Sequence, residues 1–157
     1  MKISLLVVGK TTDKHISVLI DDYVERVKHY NPFELIVIPE LKNTKSLTED
    51  QQRKAEAALI LKQLQPSDHV VLLDERGAER RSMEFAQWMR KIQQTGSKRV
   101  VFVVGGPYGF DKEIYARANE LMSLSRMTFS HQMVRLFFVE QIYRVFTIIK
   151  GEPYHHE

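Results

Sequence analysis

The spacing of apolar residues divides the chain into alternating strands and helices. Residues 3–8 form a short apolar run that ends at Gly9, and the next apolar positions, from Ile16 to Val27, repeat at helical spacing. Further runs typical of strands occupy residues 33–38, 70–73, 100–104 and, as a short fifth strand, 122–124.

Helical patterns separate these strands. Thr48 and Gln51 form a capping box that opens a helix. Further helices are predicted from about Ser82 to Gly96, over residues 111–120, and from Val134 to a stop at Gly151. Because strands alternate with helices, the pattern predicts a single α/β domain over residues 1–157, with a mostly parallel sheet and helices on both faces.

Ligands of parallel α/β sheets bind beyond the carboxyl ends of the strands, so the loops there are the first candidates for a site. The loop at residues 105–110 is rich in glycine, and Gly105 and Gly106 would let a ligand approach the backbone closely. An ordinary tight turn would also use glycines, for their positive φ.

Two other loops carry side chains that could bind a ligand, but each also has a purely structural interpretation. Residues 74–81 offer two carboxylates and an arginine, yet a solvated charged turn has the same composition. Residues 124–129 mix hydroxyls with apolar side chains that suit an adenine, but they also fit a strand end leading to a helix N-cap at Ser130. The glycines of this chain do not have the spacing that the dinucleotide-binding motif or the phosphate-loop motif requires, so both motifs are excluded.

Composition narrows the kinds of functional site and partner that the chain can have. The chain has no cysteine, which excludes disulfides, thiolate metal sites and cysteine nucleophiles, and cytoplasmic localisation is predicted. No apolar run approaches the roughly 20 residues of a membrane span, so no membrane association is expected. A net charge of +3 permits a polyanionic partner without requiring one.

The last predicted helix and the tail carry the remaining polar candidates. Arg135 and Arg144 are nine positions apart, so they point in nearly opposite directions and only one faces a given site. Glu140 and Arg144 have the spacing of an ordinary surface pair. The histidines are scattered or, at the tail, adjacent and oppositely directed, and no metal site is predicted.

Taken together, several segments resemble the ribosomal large subunit methyltransferase H family. The resemblance covers essentially the whole chain, and its C-terminal part is highly specific. The segments that carry it are Gly105-Gly106-Pro107-Tyr108-Gly109, residues 124–129, His131-Gln132-Met133-Val134-Arg135, Glu140-Gln141-Ile142-Tyr143-Arg144 and Pro153-Tyr154-His155.

The resemblance implies the SPOUT class of methyltransferases, with a C-terminal trefoil knot and a homodimeric assembly. It also implies that three loops of the knot bind S-adenosyl-L-methionine. Carried over to this chain, the cofactor-binding residues are Leu73, Gly105, Gly106, Leu124, Ser125, Arg126, Met127, Thr128 and Phe129.

The implied activity is methylation of N3 of a pseudouridine in 23S (large-subunit) ribosomal RNA within the assembled ribosome. The absence of cysteine agrees with this, since methylation at pyrimidine C5 usually needs a covalent cysteine adduct and methylation at nitrogen does not. We assign His155 to removal or relay of the N3 proton, Arg144 to stabilisation of charge on the carbonyl oxygens, and Tyr154 to contact with the base. The tail would complete the site across the dimer.

Two alternatives stay open at this point. A non-catalytic protein that binds the ribosome or RNA could keep the same fold, and binding of S-adenosylmethionine separates it from an enzyme. A methyltransferase for another RNA position would also share the fold, because fold does not determine substrate.

Overall fold

One five-stranded sheet organises the computed structural model, which describes residues 1–157. All its strand pairs are parallel, in the order β2-β1-β4-β3-β5. The strands are β1 (Lys2–Val8), β2 (Phe33–Ile38), β3 (His69–Glu79), β4 (Arg99–Val104) and β5 (Glu120–Ser123). The helices are α1 (Lys14–Lys28), α2 (Glu49–Gln63), α3 (Ser82–Gln94), α4 (Lys112–Arg117) and α5 (Met133–Lys150).

The helices cover both faces of the sheet, as the sequence predicted. Alternate residues of β1 point to opposite faces, because side chains along a strand alternate. Leu5 packs in the core that contains α1, α3 and α5, whereas Leu6 packs in the core that contains α2 and α4. The predicted parallel α/β fold is therefore confirmed.

The helix ends follow local capping chemistry. Thr48 and Gln51 form the predicted capping box of α2, and Gly96 and Gly151 adopt positive φ after α3 and α5. The helix predicted over residues 111–120 is wrong in length: α4 ends at Arg117 because Asn119 already donates its N–H to Val70. No helix has the combination of length and apolarity that crossing a membrane requires.

The prediction of a loop at residues 74–81 is wrong. Strand β3 continues to Glu79, but its pairing with β5 shifts, so that both Leu73 and Ala78 lie opposite Met122. The residues between them form a bulge that leaves the ladder. The charged residues suggested a loop because the outer part of β3 is exposed to solvent, and only pairing with the distant β5 makes it a strand.

Gly77 is the residue that permits this bulge. A Cβ at this position would lie 2.4 Å from the backbone nitrogen of Met122. We expect Gly77→Ala to lower the free energy of unfolding by roughly 1–3 kcal/mol through overpacking, measured by urea denaturation. Gly96→Ala is the control, since its added Cβ meets no atom within 4 Å and only its positive φ opposes the change. A smaller loss for Gly77→Ala than for Gly96→Ala would contradict this account.

Candidate active site

A cavity of about 500 Å³ lies beyond the carboxyl ends of β4 and β5 and beside the bulge of β3, where the pairing of β3 with β4 ends. Leu73 of β3, the glycine loop after β4 and the segment after β5 form its walls, and Val134 of α5 contributes one side. Three segments that are far apart in sequence meet here because parallel strands end at the same edge of the sheet. The volume is typical of small-molecule sites, which span roughly 300–1,000 Å³.

Most of the predicted cofactor residues contact this cavity. Arg126 is the exception, because its side chain is 89% exposed and its Nε donates to Glu79 Oε1 at 2.7 Å, away from the lining. The predicted residues that line the cavity are Leu73, Gly105, Gly106, Leu124, Ser125, Met127, Thr128 and Phe129.

The two glycines after β4 lie close to other side chains of the protein itself. A Cβ on Gly106 would lie 2.5 Å from Glu56 Oε1, and a Cβ on Gly105 would lie 3.1 Å from the Phe110 ring. Neither glycine has positive φ, which in this loop belongs to Gly109. Burial raises the pKa of the Glu56 carboxyl, which packs beneath the loop. On the side where a Cβ would project, Gly106 is thus approached closely by Glu56 and Gly105 by Phe110.

The bulge of β3 forms a fixed polar wall of the cavity. Asp74 accepts hydrogen bonds from the Tyr115 hydroxyl and, at 2.8 Å, from the backbone N–H of Arg76. The Arg76 guanidinium donates to the Tyr115 hydroxyl at 2.5 Å and lies 5.0 Å from the centre of its ring. Tyr115 was not among the predicted site residues, since nothing in the local pattern of α4 indicates a contact with β3.

Asp74 stays ionised in this arrangement. Burial by itself would raise the pKa of its carboxyl, but the hydrogen bonds from Tyr115 and Arg76 outweigh burial and lower it. A lowered pKa stabilises the fold above the pKa of an unfolded aspartate, about 3.9, and the effect is lost as the pH falls through the folded value.

We therefore expect Tyr115→Phe to melt below the wild type at pH 7, with a difference that narrows as the pH falls below about 4. Thermal unfolding followed by circular dichroism at pH 7 and pH 3 measures this difference. Tyr108→Phe is the control: Tyr108 is exposed, so this variant should melt at the same temperature as the wild type. A difference for Tyr115→Phe that is constant with pH would contradict the role of the ionised Asp74.

A buried arginine fixes the start of α5 beside the cavity. Arg135 is 1% exposed and donates to the carbonyl oxygens of Val8 and Gly9 at 2.9 and 2.8 Å. Its Nε donates to the carbonyl oxygen of His131 at 2.9 Å, and His131 lines the cavity. Arg135 therefore joins the end of β1 to the segment that leads into α5, a role that the sequence analysis did not assign.

The C-terminal tail folds back on α5 and forms a second polar cluster, here called the tail cluster: Glu140, Arg144, Tyr154 and His155. Arg144 Nη2 donates to Glu140 Oε1 at 2.5 Å, and the Tyr154 hydroxyl donates to the same oxygen at 2.9 Å. Arg144 Nη1 lies 3.1 Å from His155 Nδ1. The predicted i,i+4 pair of Glu140 and Arg144 is present, but it is not an ordinary surface pair, because the tail covers the two side chains and leaves them 18% and 24% exposed.

Two tyrosines of the α1 region also contact the tail. The Tyr30 hydroxyl donates to Glu152 at 2.5 Å, and the Tyr23 hydroxyl lies 3.3 Å from that of Tyr154. The hydrogen bond to Glu152 raises the pKa of Tyr30 to about 12. The tail is therefore bound at two points to its own chain.

The tail cluster and the cavity lie at different ends of α5. Val134 lines the cavity and Arg144 belongs to the tail cluster, and their separation of ten positions corresponds to a rise of about 15 Å along the helix. Arg135 and Arg144 accordingly face different parts of the molecule, as predicted. The structure brings the three predicted catalytic residues together, but it does not bring them to the cavity of the same chain. Nowhere in the chain do three or more His, Asp or Glu side chains form a group that could hold a metal ion.

Comparison with known proteins identifies the family. A family model described as "Predicted SPOUT methyltransferase" matches residues 1–155. Proteins named "Ribosomal RNA large subunit methyltransferase H" from Bacteroides fragilis and Bacteroides thetaiotaomicron are each 59% identical over 157 residues, which is 100% of both chains. The protein of the same name from Flavobacterium johnsoniae is 51% identical over the full length of both chains. This chain therefore belongs to the ribosomal large subunit methyltransferase H family of SPOUT methyltransferases.

Proposed function

We propose that this protein transfers a methyl group from S-adenosylmethionine to N3 of a pseudouridine in 23S ribosomal RNA within the assembled ribosome. The observation that carries the proposal is the cavity at the carboxyl edge of the sheet, whose walls are the three segments assigned to the methyl donor. The relatives that match over their whole length are named as methyltransferases of large-subunit ribosomal RNA.

The residues of the cavity fit S-adenosylmethionine in size and chemistry. Leu73, Leu124 and Phe129 provide an apolar wall for an adenine, and the ionised Asp74 complements a positively charged ligand. Ser125 Oγ accepts a hydrogen bond from the Met127 N–H at 3.0 Å, which orders the loop that faces the ligand. When bound, the donor supplies an electrophilic methyl group whose bond to sulfur breaks as the bond to N3 forms, and the electron pair stays on sulfur.

We infer that two copies of the chain form the complete site. In one chain the tail cluster lies too far along α5 to reach the cavity, so a partner's tail would have to complete it. Met127 and Phe129, which line the cavity, and Phe137, which packs against Phe129, are exposed, and a second copy would remove these apolar side chains from water. The trefoil knot implied by the resemblance stays a prediction alongside the dimer.

At the target base we assign roles to the three tail-cluster residues predicted from the sequence. Arg144 stabilises the charge that develops on a carbonyl oxygen, because a guanidinium is always a charged donor. Tyr154 contacts the base, and the hydrogen bond from its hydroxyl to Glu140 fixes its orientation. His155 acts either on the N3 proton or on the carbonyl groups beside it, and which of the two depends on the ring nitrogen that carries its own proton.

The small net charge of the chain bears on which form of the RNA it can bind. A net charge of +3 gives little of the electrostatic affinity on which non-specific RNA binding depends. We propose that the shape of the assembled ribosome supplies the remaining contacts, so that a short free RNA is a poor substrate.

The test is to incubate the protein and labelled S-adenosylmethionine with ribosomes that lack the modification, with isolated subunits and with protein-free RNA. We expect label on N3 of one pseudouridine of the large subunit, and only in assembled ribosomes. Label at another nucleotide would favour the alternative substrate. No label on any RNA, with the donor still bound in calorimetry, would leave the non-catalytic alternative.

A further inference from the structure

The contact between Arg144 and His155 determines where the imidazole carries its proton. Arg144 Nη1 lies 3.1 Å from His155 Nδ1. A guanidinium has only donors and stays protonated in proteins, so Nδ1 has to be the acceptor. A neutral imidazole with Nδ1 as acceptor carries its proton on Nε2.

Glu140 holds Arg144 in the position that makes this contact. One carboxylate oxygen, Oε1, accepts from Arg144 Nη2 at 2.5 Å and from the Tyr154 hydroxyl at 2.9 Å. The guanidinium carbon lies over the Tyr154 ring, 4.8 Å from its centre. The guanidinium is therefore fixed from two directions, by the carboxylate and by the ring.

The tail cluster also contains an unused donor. Arg144 Nε is the only buried side-chain nitrogen or oxygen in the chain without a hydrogen-bond partner. Buried donors without partners are rare in folded proteins and call for an explanation. The two Nη atoms of Arg144, which contact Glu140 and His155, are therefore the donors that fix its position.

We propose that Glu140 is a positioning residue which, through Arg144, fixes His155 as an Nε2–H donor, and that His155 donates a hydrogen bond to a carbonyl oxygen of the target base. The proposal rests on the proposed function and deepens it. It gives His155 a different task from the removal of the N3 proton. As a base, Nε2 would need the ring proton on Nδ1, where it would face the N–H of Arg144.

Two hydrogen-bond donors suffice for this chemistry because the N3–H group lies between two carbonyls. Loss of the N3 proton to solvent water spreads negative charge over both carbonyl oxygens. Donors aimed at these oxygens stabilise the anion, and such donors are worth most where charge develops. In this arrangement His155 Nε2 and Arg144 serve as the donors, and the N3 electron pair forms the new bond to the methyl carbon.

The first test is independent of activity. Two-bond ¹⁵N–¹H correlations of the histidine rings in the full-length free protein, assigned with His155→Gln, report which nitrogen of His155 is protonated. We expect the Nε2–H tautomer in the wild type and in the control Glu25→Ala, which removes an exposed carboxylate on α1. Glu140→Ala should give a mixture of tautomers, and Glu140→Gln should restore Nε2–H because its carbonyl oxygen still accepts from Arg144. A predominant Nδ1–H tautomer in the wild type would overturn the proposal.

The second test compares two replacements of the histidine. The His155→Gln side chain keeps an N–H donor and the His155→Phe side chain has none. We expect the turnover number of His155→Gln to stay within about tenfold of the wild type and that of His155→Phe to fall by about 100-fold or more. If the wild type labels ribosomes and both variants lose activity equally, the donor role fails while the proposed function stands. If the wild type labels no RNA, the proposed function fails and the tautomer still decides the role of Glu140.

Discussion

Removal of residues 154–157 is expected to reduce methyl transfer to ribosomes by at least about 100-fold while leaving folding and binding of S-adenosylmethionine nearly unchanged. The deletion takes away Tyr154 and His155 and uncovers Arg144, but no residue of the cavity lies in this segment. Single-turnover transfer of labelled methyl groups to unmodified ribosomes measures the rate, and calorimetry measures cofactor affinity.

The control is deletion of Glu157 alone, an exposed residue without a hydrogen bond in the structure. This variant should turn over at the wild-type rate. Sedimentation should show the same assembly state for both truncated chains, because the exposed Met127, Phe129 and Phe137 are retained. A wild-type rate after removal of residues 154–157 would exclude the tail from the mechanism.

Replacement of Arg135 by methionine is expected to lower the free energy of unfolding by about 3 kcal/mol, since buried carbonyl oxygens left without donors are costly. The change removes the hydrogen bonds to Val8, Gly9 and His131 from a site that is 1% exposed. Burial lowers the pKa of this guanidinium, and the charge of Glu40 offsets part of the effect. Urea denaturation followed by circular dichroism measures the loss of stability.

Arg26→Met is the matched control on α1. Its guanidinium is 45% exposed and pairs with Asp22 at 3.3 Å, and solvent screens such an exposed pair so strongly that its loss should change stability little. The Arg135 variant should also bind S-adenosylmethionine more weakly, because Arg135 fixes the segment that brings His131 and Val134 to the cavity. Equal stability of the two variants would show that Arg135 does not hold α5 to β1.

The position of the cavity was predictable because it follows from the topology. Alternating strands and helices indicate a parallel sheet, and ligands of such sheets bind where the strands end. Leu73, Gly105 and the segment at residues 124–129 meet at that edge. Arg126 departs from the pattern because its side chain turns outward to Glu79.

The residues that the sequence analysis missed act through contacts between distant parts of the chain. Tyr115 and Asp74 are 41 positions apart, and Arg135 and Val8 are 127 positions apart. Glu140 was assigned to a surface pair because only its spacing to Arg144 was visible, and the tail that covers it lies beyond the end of the helix. None of these contacts leaves a periodic signal.

The α/β class, the capping of α2, the helix stops at Gly96 and Gly151, and the family are all predictable from the amino-acid sequence. These features depend on local hydrogen bonds, on the alternation of side chains or on specific motifs, all of which are written in neighbouring residues. The bulge of β3 and the docking of the tail on α5 become visible only in the folded chain. Each depends on pairing between segments far apart in the chain, where packing and hydrogen bonding across the fold override local preference.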